Sequence, residues 1–353
     1  MSDWLDAAGA AAAVLVTVAI VEGSAPREPG ARMLVSAERQ FDTIGGGHLE
    51  MRAVEIARAM LARAGADAGA GAGPVRLERF ALGPSLGQCC GGVVHLAFER
   101  VTAELLAVLG SLQGRRGEDS WRLSAIDGPS SHVLLDARGQ ALAGSAGQSG
   151  LPTVLAPVTQ VLRAADGRRW LADPCLAPRA HLILFGAGHV GAAIVRAMAD
   201  LPCHITWVDE REDMFPDKVA ENVTVEATDS PEALVAAAPP GASFLVMTHQ
   251  HALDQRLAEA IMARGDAGWF GLIGSLTKRR KFEHRLRQRG VAPERIAAMV
   301  CPIGLGGIGN KAPAVIAASV CAQLLMVWEA AGSASAAGAA PPLRLVASGP
   351  ASL

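Results

Sequence analysis

The run from His181 to Asp209, HLILFGAGHVGAAIVRAMADLPCHITWVD, constrains the fold more than any other stretch. Leu182 to Phe185 is an apolar run short enough for a buried strand. Gly186, Gly188 and Gly191 follow at GxGxxG spacing, an alanine-rich helical segment continues to about Asp200, and Ile205 to Val208 read as a second strand ending on Asp209. Each part has a mechanical reason. Gly186 allows the tight strand-to-helix turn, Gly188 lets backbone approach a phosphate, and Gly191 lets the helix pack closely on the strand. The free N–H groups and dipole of the helix start, at His189, favour an anion. Asp209 stands where an acid accepts a ribose hydroxyl. Strand, helix and acid in register predict a Rossmann-like unit, the alternative being a glycine turn in an ordinary βαβ unit. Such a fold does not by itself fix the ligand.

The remaining composition narrows the class. A chain of 353 residues has room for two domains. Half of it is hydrophobic and the net charge is −2, which argues against a nucleic-acid or membrane-surface protein held by charge alone. The first residues are mildly acidic, with Asp3 and Asp6, where a secretory signal wants positive charge. The apolar run Ala10 to Val21 is too short to span a bilayer. Six cysteines in a chain this long show no disulfide framework, so a reducing cytoplasm is expected. There is no tyrosine, and the lysines are Lys218, Lys278, Lys281 and Lys311, which excludes a dehydrogenase that relays protons through a Tyr–Lys pair.

The expected fold is α/β, with a C-terminal Rossmann-like parallel sheet covered by helices on both faces and an N-terminal mixed α/β domain. The predicted boundaries are 1–172, 173–330 and a disordered tail 331–353. In the N-terminal part VLVTVAIVEG, ARMLVS, VRLERFAL and VVHLAF read as strands, and Leu49–Arg63 as a helix. Ala64–Gly73 and Gly83–Gly92 read as loops. Between 101 and 170 the signals weaken to a helix near Ala103–Leu112 and strands at Val133–Leu135 and Gln160–Leu162. Asp173–Pro178, with two prolines, reads as a linker. Beyond it, strands at Thr224–Glu226, Phe244–Met247 and Phe270–Ile273 alternate with helices at Pro231–Ala238, Asp254–Ala263 and Thr277–Arg289, the pattern of a parallel sheet. Ala314–Ala330 reads as a final amphipathic helix.

Four further stretches carry candidate chemistry. In LGPSLGQCCGG, Cys89 and Cys90 are adjacent, follow Gln88 and are flanked by glycines. Thiolates are soft donors able to hold a soft metal or carry sulfur; the alternative is two small buried residues at a turn. In TIGGGHLE, Gly45, Gly46 and Gly47 open a helix at His48 and form an anion-accepting turn, with Arg27 and Arg32 of the preceding EGSAPREPGARMLV as candidate phosphate clamps. Tight turns with solvated arginines remain the alternative. In VMTHQHALDQRL, His249, His251 and Asp254 follow the carboxyl end of a strand, where open α/β sheets bind ligands. They read as polar lining of a crevice, as structural caps or, with weak spacing, as metal ligands. In CPIGLGGIGNKAPAVIAAS, a glycine-rich turn including Gly307 precedes Lys311 and a helix, and can hold a second anionic group or simply lead into the helix. GLIGSLTKRRKF has a similar turn, and its basic run Lys278–Lys281 reads as a solvated helix face.

Taken together, GSAPREPGARM, TIGGGHLE, LGQCCGG, LILFGAGHVG, VMTHQHALD, GLIGSLTKRRKF and CPIGLGGIGNKAPAVIAAS resemble the xanthine dehydrogenase accessory protein family, XdhC/CoxI, in order along nearly the whole chain. The CoxI-like branch typically carries cysteine where this chain has His48, so the XdhC branch is the nearer one. The resemblance implies a cytoplasmic, dimeric, non-enzymatic factor that binds molybdenum cofactor, protects it during sulfuration and hands it to xanthine dehydrogenase, with a cysteine desulfurase among its partners. The residues are compatible with that reading: molybdopterin carries a phosphate, a dithiolene and a metal, and glycine turns, arginines and the thiols of Cys89 and Cys90 suit those groups. The intact GxGxxG with Asp209 also suits a dinucleotide. Two function classes therefore stand. A carrier needs affinity without turnover. An NAD(P)-dependent oxidoreductase needs a hydride acceptor and a general acid or base, which His249 or His189 would supply. The sequence displays no complete catalytic constellation, which favours the carrier over the oxidoreductase and over an interaction scaffold with a vestigial nucleotide fold.

Overall fold

Val14, Val16 and Val18 project to one side of a strand and Leu15 to the other, and all four are buried. A strand apolar on both faces must be covered twice, and it is. The strand, β1 (Ala13–Glu22), lies at the centre of an antiparallel sheet between β2 (Arg32–Ser36) and β5 (Val93–Arg100). β3 (Gln40–Asp42) and β4 (Arg76–Ala81) complete the order β3-β2-β1-β5-β4. On one face Val14, Val16, Met33 and Val35 pack against Leu49, Ala53 and Ala57 of α2 (Gly47–Ala66). On the other, Leu15 and Leu34 pack against Trp4 and Leu5 of α1 (Asp3–Asp6) and Leu105 and Leu109 of α3 (Ala103–Gln113).

The computed structural model describes residues 3–66, 75–83, 91–145, 150–336 and 343–344. The chain divides into two units. One runs to Ala177 and takes in the short strand β17 (Leu343–Arg344), paired with β9 (Val154–Leu155); the other begins at Pro178 and ends with the C-terminal helix.

The first unit contains a second antiparallel sheet. Its strands are β6 (Ser120–Ala125), β7 (His132–Asp136), β8 (Ala141–Gly144), β10 (Gln160–Arg163) and β11 (Arg169–Cys175), in the order β10-β11-β6-β7-β8. β7 and β10 fall at the two strands expected in this region. β6 and β11 were not expected, because Arg122 and Asp173 within them read as solvent-facing residues and yet are buried. Arg122 and Asp173 are fully buried, and join Glu99 of β5 and Arg32 of β2 in one ionic cluster. Arg122 Nη1 donates to Glu99 at 2.7 Å and Nη2 to Asp173 at 2.8 Å. Arg32 grips Asp173 through Nε at 2.9 Å and Nη2 at 2.6 Å, and Thr159 adds a third donor at 2.8 Å. The linker expected at Asp173–Pro178 is therefore strand through Cys175. Pro174 is tolerated because β10 stops pairing at Ala172, so on that side there is no ladder to interrupt. The helix expected at Leu49–Arg63 likewise extends through Ala66, into the segment read as a loop.

The second unit is the expected Rossmann-like domain. β12 (Ala180–Phe185), β13 (Cys203–Asp209), β14 (Val223–Ala227), β15 (Ser243–Val246) and β16 (Trp269–Leu272) form one parallel sheet in the order β14-β13-β12-β15-β16. Leu182, Leu184, Ile205 and Trp207 face α4 (His189–Ala197) and α9 (Pro313–Ala336). Ile183, Phe185, Phe244 and Val246 face the other way, against α5 (Pro231–Ala237), α6 (His251–Ala263), α7 (Leu276–Gln288) and α8 (Pro293–Ala298). α9 is long and apolar enough, by length and composition, to cross a membrane. One face of it joins the core: Ala317, Val320, Cys321 and Leu324 are buried against the sheet, and Trp328 Nε1 donates to Ser243 Oγ at 3.0 Å. It continues to Ala336, past the point where the disordered tail was expected.

Candidate functional site

Parallel strands put all their following loops on one edge. Gly186–Gly188, Asp209–Arg211, Thr228, Thr248–Gln250 and Ile273–Ser275 follow the five strands in this way. Val300 extends the edge, bridging Gly271 in parallel, so the loop Cys301–Asn310 follows at the same edge. Strand order reverses between β12 and β15, the place where open α/β sheets bind ligands. A pocket lies there, lined by Gly186, Asp209, Glu210, Thr228, Thr248 and His249 among others.

The glycines do what their spacing predicts. Gly186 has φ +122°, and a Cβ on it would stand 2.5 Å from the Met247 carbonyl oxygen. A Cβ on Gly191 would stand 2.1 Å from the Gly186 oxygen. At Gly188, the N-cap of α4, a Cβ would meet nothing within 4 Å. The turn is thus closed on the protein side and open on the ligand side, and His189 beside it is exposed.

Asp209 is 7% exposed and already engaged. Its Oδ2 accepts from the Ala187 amide at 2.7 Å, and both oxygens take a fork from Arg211, at 2.8 and 2.9 Å. Burial pushes its carboxyl up, but the hydrogen bonds from Arg211 and Ala187 outweigh this and hold it below the ordinary carboxylate range. Arg211 was not singled out from the sequence; an arginine two residues past a strand-end acid was the available signal.

VMTHQHALD divides its labour. His249 lines the pocket, with Nε2 3.4 Å from Glu210 Oε1. His251 turns outward, its side chain 83% exposed and 4.0 Å from Asp254. Asp254 is fully buried: Oδ1 accepts from the Thr248 amide at 3.1 Å and hydroxyl at 2.7 Å, and Oδ2 from Lys278 Nζ at 2.7 Å. The three therefore do not assemble as metal ligands, and among the described residues no group of three or more His, Cys, Asp or Glu side chains is placed to hold an ion. Lys278, expected on a solvated face, instead ties the loop after β16 to the loop after β15, also donating to the Ile273 carbonyl at 2.8 Å. Removing the carboxylate leaves a desolvated ammonium, so Asp254→Ala is expected to lower unfolding stability by about 3–5 kcal/mol. Urea denaturation checks this; a midpoint unchanged from wild type would show that the pair is dispensable.

The three-glycine turn is occupied by the chain itself. Gly45, Gly46 and Gly47 all have positive φ, and the N–H groups of Ile44 and Gly46 point to Glu50 Oε2, at 3.2 and 3.0 Å. Thr43 Oγ1 adds a third donor, at 2.5 Å. Burial raises the Glu50 carboxyl, and these hydrogen bonds outweigh it and lower it below the usual value. The anion this turn holds is its own glutamate, Glu50, the fourth residue of α2. Arg27 stays beside the turn, donating to Thr43 O at 3.4 Å and paired with Glu28; His48 is the second residue of α2. Arg32 is no phosphate clamp here, since its fork is spent on Asp173. Gln88, Cys89 and Cys90 lie outside the described residues.

The glycine-rich loop before α9 is pinned from below. Gln323 accepts from the Gly304 amide and donates to its carbonyl, at 2.9 and 3.1 Å, and Ser319 accepts from Leu305 at 2.7 Å. Gly307 and Lys311, farther along, are exposed.

This geometry has counterparts among known proteins. The profile of the XdhC Rossmann domain matches residues 182–324, and that of the XdhC and CoxI family matches residues 7–68. The chain belongs to the XdhC/CoxI family. Family membership suggests a xanthine dehydrogenase accessory role. A Bacillus subtilis protein, a probable subunit of xanthine dehydrogenase, is 26% identical over 319 residues, covering 89% of this chain and 92% of that protein. The uncharacterized protein YqeB of Escherichia coli K12 is 36% identical over 155 residues, 42% of this chain, and the match spans 27% of YqeB's length. A crystal structure of a xanthine dehydrogenase from Bacillus halodurans shares the fold, with a TM-score of 0.70 at 19% identity, covering 94% of this chain and 96% of that one.

Proposed function

We propose that this XdhC-family chain is a carrier: it binds molybdenum cofactor, protects it during sulfuration and delivers it to xanthine dehydrogenase. The observation that carries the reading is the similarity to the Bacillus subtilis protein over nearly the full length of both chains. The residues present suit the phosphate of molybdopterin. The open space over Gly188 and the amino end of α4 form a cradle for an anion, and Ala187, held by Asp209, fixes its wall. A phosphate-bearing dinucleotide would use the same cradle. Cys89 and Cys90 are the soft donors proposed to meet the metal or its sulfur. The cofactor supplies the oxo-transfer chemistry of the recipient enzyme. The chain's own work is to bind, to shield and to release, and it is proposed to act as a cytoplasmic homodimer alongside a cysteine desulfurase.

Reconstitution tests this. A strain lacking the gene should assemble xanthine dehydrogenase with its other centres but short of molybdenum cofactor. Adding cofactor-loaded wild-type protein should restore activity, and the Cys89→Ala, Cys90→Ala double variant should restore less. Fully active xanthine dehydrogenase from the deletion strain would sink the reading. Steady-state hydride transfer from NAD(P)H to a small carbonyl by the purified chain would favour the oxidoreductase instead.

A further inference from the structure

α9 is apolar all round, yet the protein covers only one side of it. From Ala312 to Trp328 no residue carries a charge. Ala317, Val320, Cys321 and Leu324 are spent on the sheet. On the far side Ala314, Ala318 and Met326 are exposed, Met326 by 63%, and Val315, Ala322 and Leu325 beside them are half-buried. At about 3.6 residues per turn these six positions share one face. A helix apolar on every side is ordinarily buried on every side, so this face calls for a cover. One charge stands at each end of it, Lys311 just ahead of the helix and Glu329 toward its carboxyl end. Both are exposed and, among the described residues, neither has an ion-pair partner. In helical register the two are about five turns apart, on the midline of the face.

We infer that this face of α9 is a two-fold interface, packed antiparallel on α9 of a second copy of the chain and crossing it at the level of Val320. The inference rests on the homodimer proposed above and names its interface. The surface that must complement the face is then the face itself, and it does so. A two-fold axis at that level sets Ala318 against Ala322 of the second copy, Val315 against Leu325, and Lys311 against Glu329, each pair twice. Small residues meet at the crossing, where backbones come closest. Bulkier ones meet on either side, and opposite charges meet at both ends. A parallel pair would set Lys311 on Lys311 and Glu329 on Glu329, so charge fixes the direction. α9 is long and apolar enough to cross a membrane, but its other face is packed on the sheet and Trp328 is bonded to Ser243, so it cannot leave the domain without opening the core. Lying on a lipid surface calls for basic residues along the apolar face, and here an acid closes one end. An unrelated protein would not account for the reciprocal order of size and charge along the face.

The test follows the purified full-length chain by sedimentation velocity over a wide concentration range. Wild type should sediment as a dimer that dissociates on dilution. Ala318→Glu puts two carboxylates near the axis, at a position exposed in the single chain, and both residues are good helix formers. It should weaken dimerisation at least about a hundredfold while leaving the circular dichroism spectrum unchanged. Lys311→Glu and Glu329→Lys each turn two attractions into two repulsions, and each should weaken dimerisation about tenfold. An equimolar mixture of those two variants should recover wild-type association, because every end contact in the mixed dimer is again between opposite charges. Wild-type dimers that none of these changes weakens would overturn the interface and leave a homodimer built elsewhere. Loss in the single variants without recovery on mixing would overturn the reciprocal pairing. A monomer at every concentration would overturn the interface and the homodimer together, and flotation of that monomer with phosphatidylglycerol vesicles would give the face to a membrane. The carrier reading is decided separately, by reconstitution of xanthine dehydrogenase.

Discussion

Gly188→Asp is expected to fold normally and to lose the ligand. A side chain at position 188 meets nothing within 4 Å, and the residue is the N-cap of α4, where aspartate is among the favoured types. Stability should therefore be unchanged or slightly raised. The new carboxylate, however, stands where a phosphate would approach the amides of the turn. Like charges about 4 Å apart near a protein surface repel by roughly 4 kcal/mol, so retention of molybdopterin or of a dinucleotide should fall at least about a hundredfold. Gly191→Ala is the contrasting variant. Its Cβ would lie 2.1 Å from a backbone oxygen, so the loss there is of folding rather than of binding. Mass spectrometry of the copurified ligand, alongside thermal melting, separates the two. A folded Gly188→Asp protein that retains ligand like wild type would mean that the turn is a structural corner only.

Asp173→Ala is expected to cost the first unit about 3–5 kcal/mol, because it strands the Arg32 guanidinium and leaves Arg122 with Glu99 alone. In urea this is a midpoint shift of roughly 1–2 M. The same carboxylate predicts an acid limb. Burial raises its pKa, but the charges of Arg32 and Arg122 outweigh burial and bring it down to about 2. A folded pKa below the unfolded value of about 3.9 gives stability that is present above that value and is lost as pH falls through the folded pKa. The contribution of Asp173 should therefore hold at neutral pH and disappear between about pH 4 and pH 2. Urea midpoints across that window, for wild type and Asp173→Ala, check it. Parallel curves, with a constant gap down to pH 2, would show that Asp173 does not supply the acid sensitivity.

Legibility followed periodicity. In the second unit the central strands are buried on both sides between helices, so short apolar runs mark them, and β12 to β16 fall within a few residues of their expected places. Ser120–Ala125 and Arg169–Cys175 resisted the same reading because each carries a buried charge, Arg122 and Asp173, that is satisfied by the other. Arg122 looks like a solvent-facing residue until Glu99 and Asp173, distant in sequence, are brought to it.

The sequence alone determined the Rossmann-like unit and the geometry of its turn, because a GxGxxG flanked by strand and helix admits few backbone paths and each glycine answers a local steric demand. Which polar groups remain available to a ligand was decided only by the tertiary structure. Arg32 and Arg27 look alike as phosphate clamps, yet Arg32 is consumed by Asp173 while Arg27 stays at the surface. The three-glycine turn looks like an anion site, yet Glu50 fills it. Asp254 looks like a ligand, yet Thr248 and Lys278 take both its oxygens. The reason is physical. A buried charge must be paired, and its partner comes from whichever strand or helix folding brings alongside, a choice that no local pattern records.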